Sequence, residues 1–259
     1  LLENLRFHPE EKKNDESFAK QLVQASRAEV LVQDAFGAAH RAHASTDAAA
    51  KQIPAVAGLL LASEVDTITT VMENPKRPLM AIIGGAKIAD KIDIIHKFIE
   101  QADIVAIGGA MANTFLLAQG IEVGESLVDE AELETAHDIM DAARAEFKKR
   151  DFVFYLPQDG IVSEKIDTKT TTRIVDWDAH VIADIEAYPA RPRPEAGRVK
   201  KHEKILDIGP VSGAFIAGAM QMVDTVVWNG TIGVTETDAP NNPVGPFAHG
   251  TQAVIDGLV

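Results

Sequence analysis

Two lysines, Lys87 and Lys91, follow the pair Gly84-Gly85 and stand four residues apart. On a helix, that spacing sets both ammonium groups on one face. At a helix start they would stand beside N–H donors that have no partner within the helix. Two cations in a first turn oppose the helix dipole, so an anion held between them would rationalise the pattern, and phosphate suits it. The plainer alternative is a wet i,i+4 pair balanced by Asp90 and Asp93. Spacing alone leaves both open.

The elements that would carry these lysines alternate in type. Leu79 to Ile83 is a continuous apolar run ended by Gly84-Gly85, and Ile88, Ile92, Ile95 and Ile99 predict a helix over Lys87–Gln101. Ile104 to Ile107 repeats the strand before Gly108-Gly109, and helical patterns follow over Met111–Gln119 and Glu130–Arg150. Phe152 to Leu156 reads as a strand stopped by Pro157. Ile205 to Ile208 precedes Gly209-Pro210 and a helix through Met222, and Thr225 to Trp228 precedes Asn229-Gly230.

Strands apolar on both faces, separated by helices, indicate a parallel sheet covered on both sides. Ligands collect beyond the carboxyl ends of such strands. One glycine pair there is ordinary punctuation. Four glycine-bearing ends in one inferred sheet favour a crevice where a ligand meets backbone closely.

The first part differs. Glu29 to Val32 is strand-like, Asp34 to Gly37 opens a loop carrying His40, Arg41 and His43, and Val56 to Met72 is helical up to Asn74-Pro75. That helix is expected to connect two domains: residues 1–55, partial, and 75–259, with 56–74 between them. The stretch before it is too short for a comfortable core of its own. Pro189, Pro192 and Pro194 mark an expected surface loop within the less legible 167–204 segment.

Composition narrows the function classes. A formal charge of −14, from 39 acidic and 25 basic residues, opposes nucleic-acid binding, which depends on neutralising phosphates. A small phosphorylated ligand needs only a local positive cluster. With no cysteine among the 259 residues, disulfides and thiolate metal sites are excluded. No apolar run reaches the roughly 18–20 residues that cross a bilayer. No Gly-x-Gly-x-x-Gly spacing supports a nicotinamide site. A cytoplasmic monomer without a membrane partner is the expectation.

Several ordered stretches then resemble phosphoglycerate kinases. They are Leu1 to His8 (LLENLRFH), Asp34 to His43 with Ala38 where the family has Thr, Glu73 to Pro78, and Gly84 to Lys91. Met111 to Leu116, Leu206 to Pro210 and Val226 to Gly230 follow in family order. The resemblance implies two Rossmann-like three-layer α/β domains with parallel sheets, joined by a connecting helix whose closure aligns phosphoryl donor and acceptor. It implies 3-phosphoglycerate or 1,3-bisphosphoglycerate on the first domain, held by Arg6 and Arg41. A guanidinium grips phosphate or carboxylate through paired donors. His40 and His43 either add donors there or are structural loop histidines.

On the second domain the resemblance implies Mg-ADP or Mg-ATP. Gly85, Ala86, Lys87, Lys91, Gly108, Gly109, Asn229, Gly233 and Glu236 match its nucleotide residues, with Lys87 and Lys91 touching the phosphoryl group in flight and Glu236 on the ribose. Ala110, Val211, Thr231 and Thr235 depart from the family pattern, and Asp238 to Val244 looks like an insertion. Family segments that supply further triose-binding residues and the magnesium-binding aspartate have no counterpart here. They are expected before residue 1 and beyond Val259, which would make both domains incomplete, the first more severely. The alternative is a non-catalytic nucleotide-binding remnant.

Overall fold

The computed structural model describes residues 2–167, 169–177, 198–237 and 245–258, in two compact units, Leu1–Pro75 and Lys76–Val259. The expected proline loop at Pro189, Pro192 and Pro194, and the insertion at 238–244, lie outside the described residues.

The first unit opens with α1 (Pro9–Lys12) and α2 (Glu16–Ser26). Asp15 caps α2, its carboxylate accepting the Phe18 N–H at 2.7 Å. β1 (Leu31–Gln33) pairs in parallel with β2 (Ala55–Ala57), and α3 (Leu59–Glu73) follows. The core is small, built on Ala19, Ala44, Ala48 and Ala49 beneath Phe18, Val23 and Leu31. The helix expected from Val56 starts at Leu59, because residues 55–57 are taken into the strand pair. Gly58 has no side chain to cap α3, and Asp34 supplies one from a distance: its Oδ1 accepts the N–H groups of Leu60 and Leu61 at 2.7 and 3.1 Å.

In the second unit, β3 (Leu79–Ile83), α4 (Ile92–Gln101), β4 (Ile104–Ile107), α5 (Met111–Ala118), α6 (Leu133–Phe147) and β5 (Val153–Tyr155) follow the expected alternation. β6 (Asp159–Ser163), β7 (Arg173–Asp176), β8 (Lys204–Ile208), α7 (Pro210–Met220), β9 (Thr225–Asn229) and α8 (His249–Gly257) complete it. The main sheet is parallel in the order β5-β4-β3-β9. Every residue of β3 is buried, as its uninterrupted apolar run requires. Ile95, Phe98 and Ile99 of α4 are buried, the i, i+3, i+4 face that closes one side.

Two expectations are corrected. β8 does not join the parallel sheet; it pairs antiparallel with β6 in a separate sheet ordered β7-β6-β8. An apolar run reads the same in either direction, so its pattern did not distinguish the two sheets. The helix expected from Lys87 begins at Ile92, because residues 84–91 are drawn into turns towards the end of β9. Gly84 and Gly85 donate there to the carbonyls of Asn229 and Thr231 at 2.8 and 3.1 Å.

Candidate functional site

Beyond the carboxyl ends of β3 and β4, three loops interlock. The Gly109 N–H reaches the Ile232 carbonyl at 2.8 Å, and the Met111 N–H reaches that of Gly85 at 3.0 Å. Gly109 has a φ of +67°, and a Cβ on it would sit 2.4 Å from the Gly85 nitrogen, so only glycine lets these chains meet. The N–H groups of Gly84, Gly85, Gly108 and Gly109 are therefore spent inside the protein. Among the described residues, the N–H groups of Ala86 and Lys87 meet no acceptor.

 These two donors, unlike those of the four glycines, remain uncommitted.

Gly85, Ala86, Gly109, Gly233 and Glu236 line one cavity of about 300 Å³ beside these loops. Its walls are largely apolar, with Leu116, Trp177, Leu206 and Ile208 among them, which suits a planar heterocycle. Glu236 is exposed and, among the described residues, has no hydrogen-bond partner, so its carboxylate is open to a ligand's hydroxyls. Gly233 allows a close approach: a Cβ there would lie 2.2 Å from the Phe247 carbonyl and 2.3 Å from Asp207 Oδ1.

Lys87, Lys91, Gly108 and Asn229 do not line the cavity. Gly108 lies beneath it, where a Cβ would strike Ile232 at 2.8 Å. Lys87 is exposed on the turn before α4, and Lys91 is the residue that immediately precedes that helix. They are thus not an i,i+4 helical pair. Lys91 instead reaches across to the end of β9, where its Nζ donates to the side-chain oxygen of Asn229 and, at 3.4 Å, to its backbone carbonyl. Burial holds the Lys91 pKa below the usual lysine value, with Asp90 pulling the other way.

In the first unit, Arg6 and His43 line a second cavity of about 370 Å³ with Asn4, Glu11, Ser45 and Thr46. Arg41 and His40 do not line it. They pair with each other, the Arg41 Nε donating to His40 Nε2 at 3.2 Å, and both are exposed. The structure therefore brings one arginine and one histidine of the expected four into a cavity. Glu11, which the sequence reading passed over, is buried and accepts the Ser45 N–H and hydroxyl at 3.0 and 2.5 Å. It fixes the turn after His43. Its signal in sequence was nil, since an acid in a short helical turn looks solvated.

Two buried acids that line the cavity of the second unit were also missed. Asp159 accepts the N–H groups of Val211 and Ser212, both at 2.9 Å, at the start of α7. The Gly209-Pro210 strand end is thus already filled by a carboxylate of the chain itself and offers no open anion site. Asp207 accepts the N–H groups of Ile208 and Gly250 at 2.9 and 2.8 Å, tying β8 to the first turn of α8. Burial pushes its pKa up to about 7 against the pull of these donors. Its place within Leu206 to Pro210 was the available signal.

A family model described as phosphoglycerate kinase matches residues 1–259. Similar curated proteins include the phosphoglycerate kinases of Moorella thermoacetica, 44% identical over 264 residues, and Pelotomaculum thermopropionicum, 41% identical over 258 residues. Both matches take in 100% of this chain but only 59% and 58% of those proteins. Among solved structures, phosphoglycerate kinase from Coxiella burnetii superposes with a TM-score of 0.69 at 32% identity, covering 98% of this chain and 58% of that one. The enzyme from Pyrococcus horikoshii OT3 gives 0.72 at 25% identity, with coverage of 98% and 58%.

Proposed function

The chain belongs to the phosphoglycerate kinase family, and from that premise we propose that it serves reversible phosphoryl transfer from 1,3-bisphosphoglycerate to ADP, yielding 3-phosphoglycerate and ATP. The observation that carries this reading is the convergence of Gly85, Ala86, Gly109, Gly233 and Glu236 on one cavity, with Lys91 on the loop beside it. The chain spans about three-fifths of the length of the curated relatives it matches, so the whole activity is a proposal for the protein that contains it.

In this reading the base enters the cavity and the ribose hydroxyls meet Glu236. The phosphates extend towards the free N–H groups of Ala86 and Lys87 and the two lysine ammonium groups. Arg6 and Arg41, with His43 and His40 near them, hold the triose. A β-phosphate oxygen of ADP attacks the acyl phosphorus; the bond from phosphorus to the carboxyl oxygen breaks, and the carboxylate leaves. Such a transfer is dominated by alignment and by neutralising the three equatorial oxygens. Lys91 and Lys87 supply positive charge there without having to donate a proton.

Magnesium would arrive on the nucleotide and neutralise its phosphate oxygens. Among the described residues, no cluster of three or more His, Cys, Asp or Glu side chains is placed to hold a metal. No helix among those residues is long and apolar enough to cross a membrane. We extend the same reading to a monomer working in the cytoplasm.

The test is ATP formation from 1,3-bisphosphoglycerate and ADP by the intact protein, followed in a coupled assay. Turnover that depends on both substrates supports the proposal. Absence of ATP formation by a folded, ADP-binding protein would sink it.

A further inference from the structure

The cavity of the first unit that is lined by Arg6 and His43 is also lined by a carboxylate, Glu11, only 3% exposed. A buried negative charge suits an anion's cavity badly unless its oxygens are spent within the protein. Both are spent on one residue. Oε2 accepts the Ser45 N–H at 3.0 Å, and Oε1 accepts the Ser45 hydroxyl at 2.5 Å.

Glu11 thereby bridges two stretches that lie far apart in sequence. On one side it belongs to α1, which follows directly on the turn Leu5–Phe7 that carries Arg6. The His8 N–H donates to the Leu5 carbonyl at 3.0 Å, and the Glu11 N–H to the His8 carbonyl at 3.1 Å. On the other side, Ser45 stands in the tight helical turn Ala44–Ala48. Thr46 of that turn holds the loop before it: its Oγ1 donates to the Arg41 carbonyl at 2.7 Å and accepts the His43 N–H at 3.2 Å. Asn14, just past α1, adds a second tie, accepting the Ala48 N–H at 3.0 Å and donating to Asp47 at 2.6 Å.

We propose that Glu11 is a positioning residue for the triose, setting the spacing between Arg6 and the loop of Arg41 and His43 without touching the substrate. This rests on the phosphoryl-transfer reading and adds the side chain that holds the two halves of its triose site in register. A carboxylate suits the task, because its two coplanar oxygens take an N–H and an O–H of one residue together. Two bonds to one residue fix orientation as well as distance. Without them the turn at Ser45 is free to shift against α1, and a misplacement of about 1 Å costs up to about 10²-fold. The nucleotide-side cavity belongs to the other unit and shares no residue with this bridge, so nucleotide affinity serves as an internal control.

The experiment measures KM for 3-phosphoglycerate and for ATP in the reverse reaction of the intact protein and its variants. Glu11→Ala should raise the KM for 3-phosphoglycerate by about tenfold or more and leave that for ATP unchanged. A merely structural role would instead shrink the active fraction, lowering apparent kcat and moving neither KM. Glu11→Gln keeps both bonds, its amide oxygen taking the Ser45 N–H and its amide nitrogen donating to the hydroxyl. It should bring the triose KM back to within about threefold of the unsubstituted value. An unchanged triose KM in Glu11→Ala, or an equal rise in both KM values, overturns the proposal and leaves the phosphoryl-transfer reading intact. No turnover by the unsubstituted protein overturns both. Should Glu11→Ala not fold, as judged by its thermal transition, Ser45→Ala decides, since it removes only the hydroxyl. There the triose KM should rise about threefold, and an unchanged value overturns the proposal.

Discussion

Lys91 donates to the side-chain oxygen of Asn229 and thereby joins the loop after β3 to the end of β9. Its stem is confined on both sides: a Cβ on Gly85 would lie 3.2 Å from its Cε, and one on Gly230 would lie 3.3 Å from its Nζ. The amine is thus held in place before any ligand arrives, and a phosphate oxygen need only replace an amide oxygen as its acceptor. Pre-positioned charge of this kind acts mainly on the transition state. Lys91→Met should lower kcat by about 10²-fold or more and change the ADP dissociation constant much less. Single-turnover kinetics beside calorimetric titration separate the two, and an unchanged kcat removes Lys91 from the transfer step.

The same contact makes the charge of Lys91 tunable. Burial depresses its pKa, so it loses its proton at a lower pH than an exposed lysine, and activity that needs the cation declines on the alkaline side accordingly. Asn229→Asp sets a carboxylate against the ammonium group and raises that pKa. The alkaline limb of the kcat profile should move to higher pH, while ADP binding weakens because the new carboxylate repels the phosphates and competes for the amine. A limb that stays in place in the variant assigns it to another group.

Much of the second unit was legible because its strands are apolar on both faces and its helices carry a clear i, i+3, i+4 stripe, as in Ile95, Phe98 and Ile99. The sense of β8 was not, since an apolar run carries no information about parallel or antiparallel pairing. The site was legible as a set of residue types and not as geometry. Lys87 and Lys91 have helical spacing but lie before α4, because the glycines ahead of them bond to the end of β9. Asp159 gave no local pattern, and Asp207 only its place within Leu206 to Pro210; each becomes meaningful when folding buries it against a helix start from another part of the chain.

Asp207 gives stability a pH dependence of definite sign. Its pKa is raised from 3.8 to about 7 by burial. Below the lower value both folded and unfolded forms are protonated and nothing is lost. Between the two the unfolded chain sheds the proton more readily, so this residue's contribution fades as pH rises and is gone above about 7. Thermal scans from pH 4 to 8 should show that decline, and Asp207→Asn, which cannot ionise, should flatten it. The variant will also lose one of two backbone hydrogen bonds, at a cost of about 1 kcal/mol that does not vary with pH. An identical slope in the variant shows that other groups govern the range.

Gly109 and Gly120 both have positive φ, +67° and +76°, but only Gly109 is crowded. A Cβ on Gly120 meets nothing within 4 Å, whereas one on Gly109 would fall 2.4 Å from the Gly85 nitrogen and 2.5 Å from its oxygen. Gly120→Ala should therefore cost only the left-handed backbone term, about 1–2 kcal/mol, and leave ADP affinity unchanged. Gly109→Ala carries the same term and must also push apart the loops that line the cavity. It should lose more stability in urea unfolding and weaken ADP binding by about tenfold or more, since a shift of that size misplaces the wall against which the base would lie. Equal losses of stability and equal affinities in the two variants would show that the interlock of these loops does not shape the site.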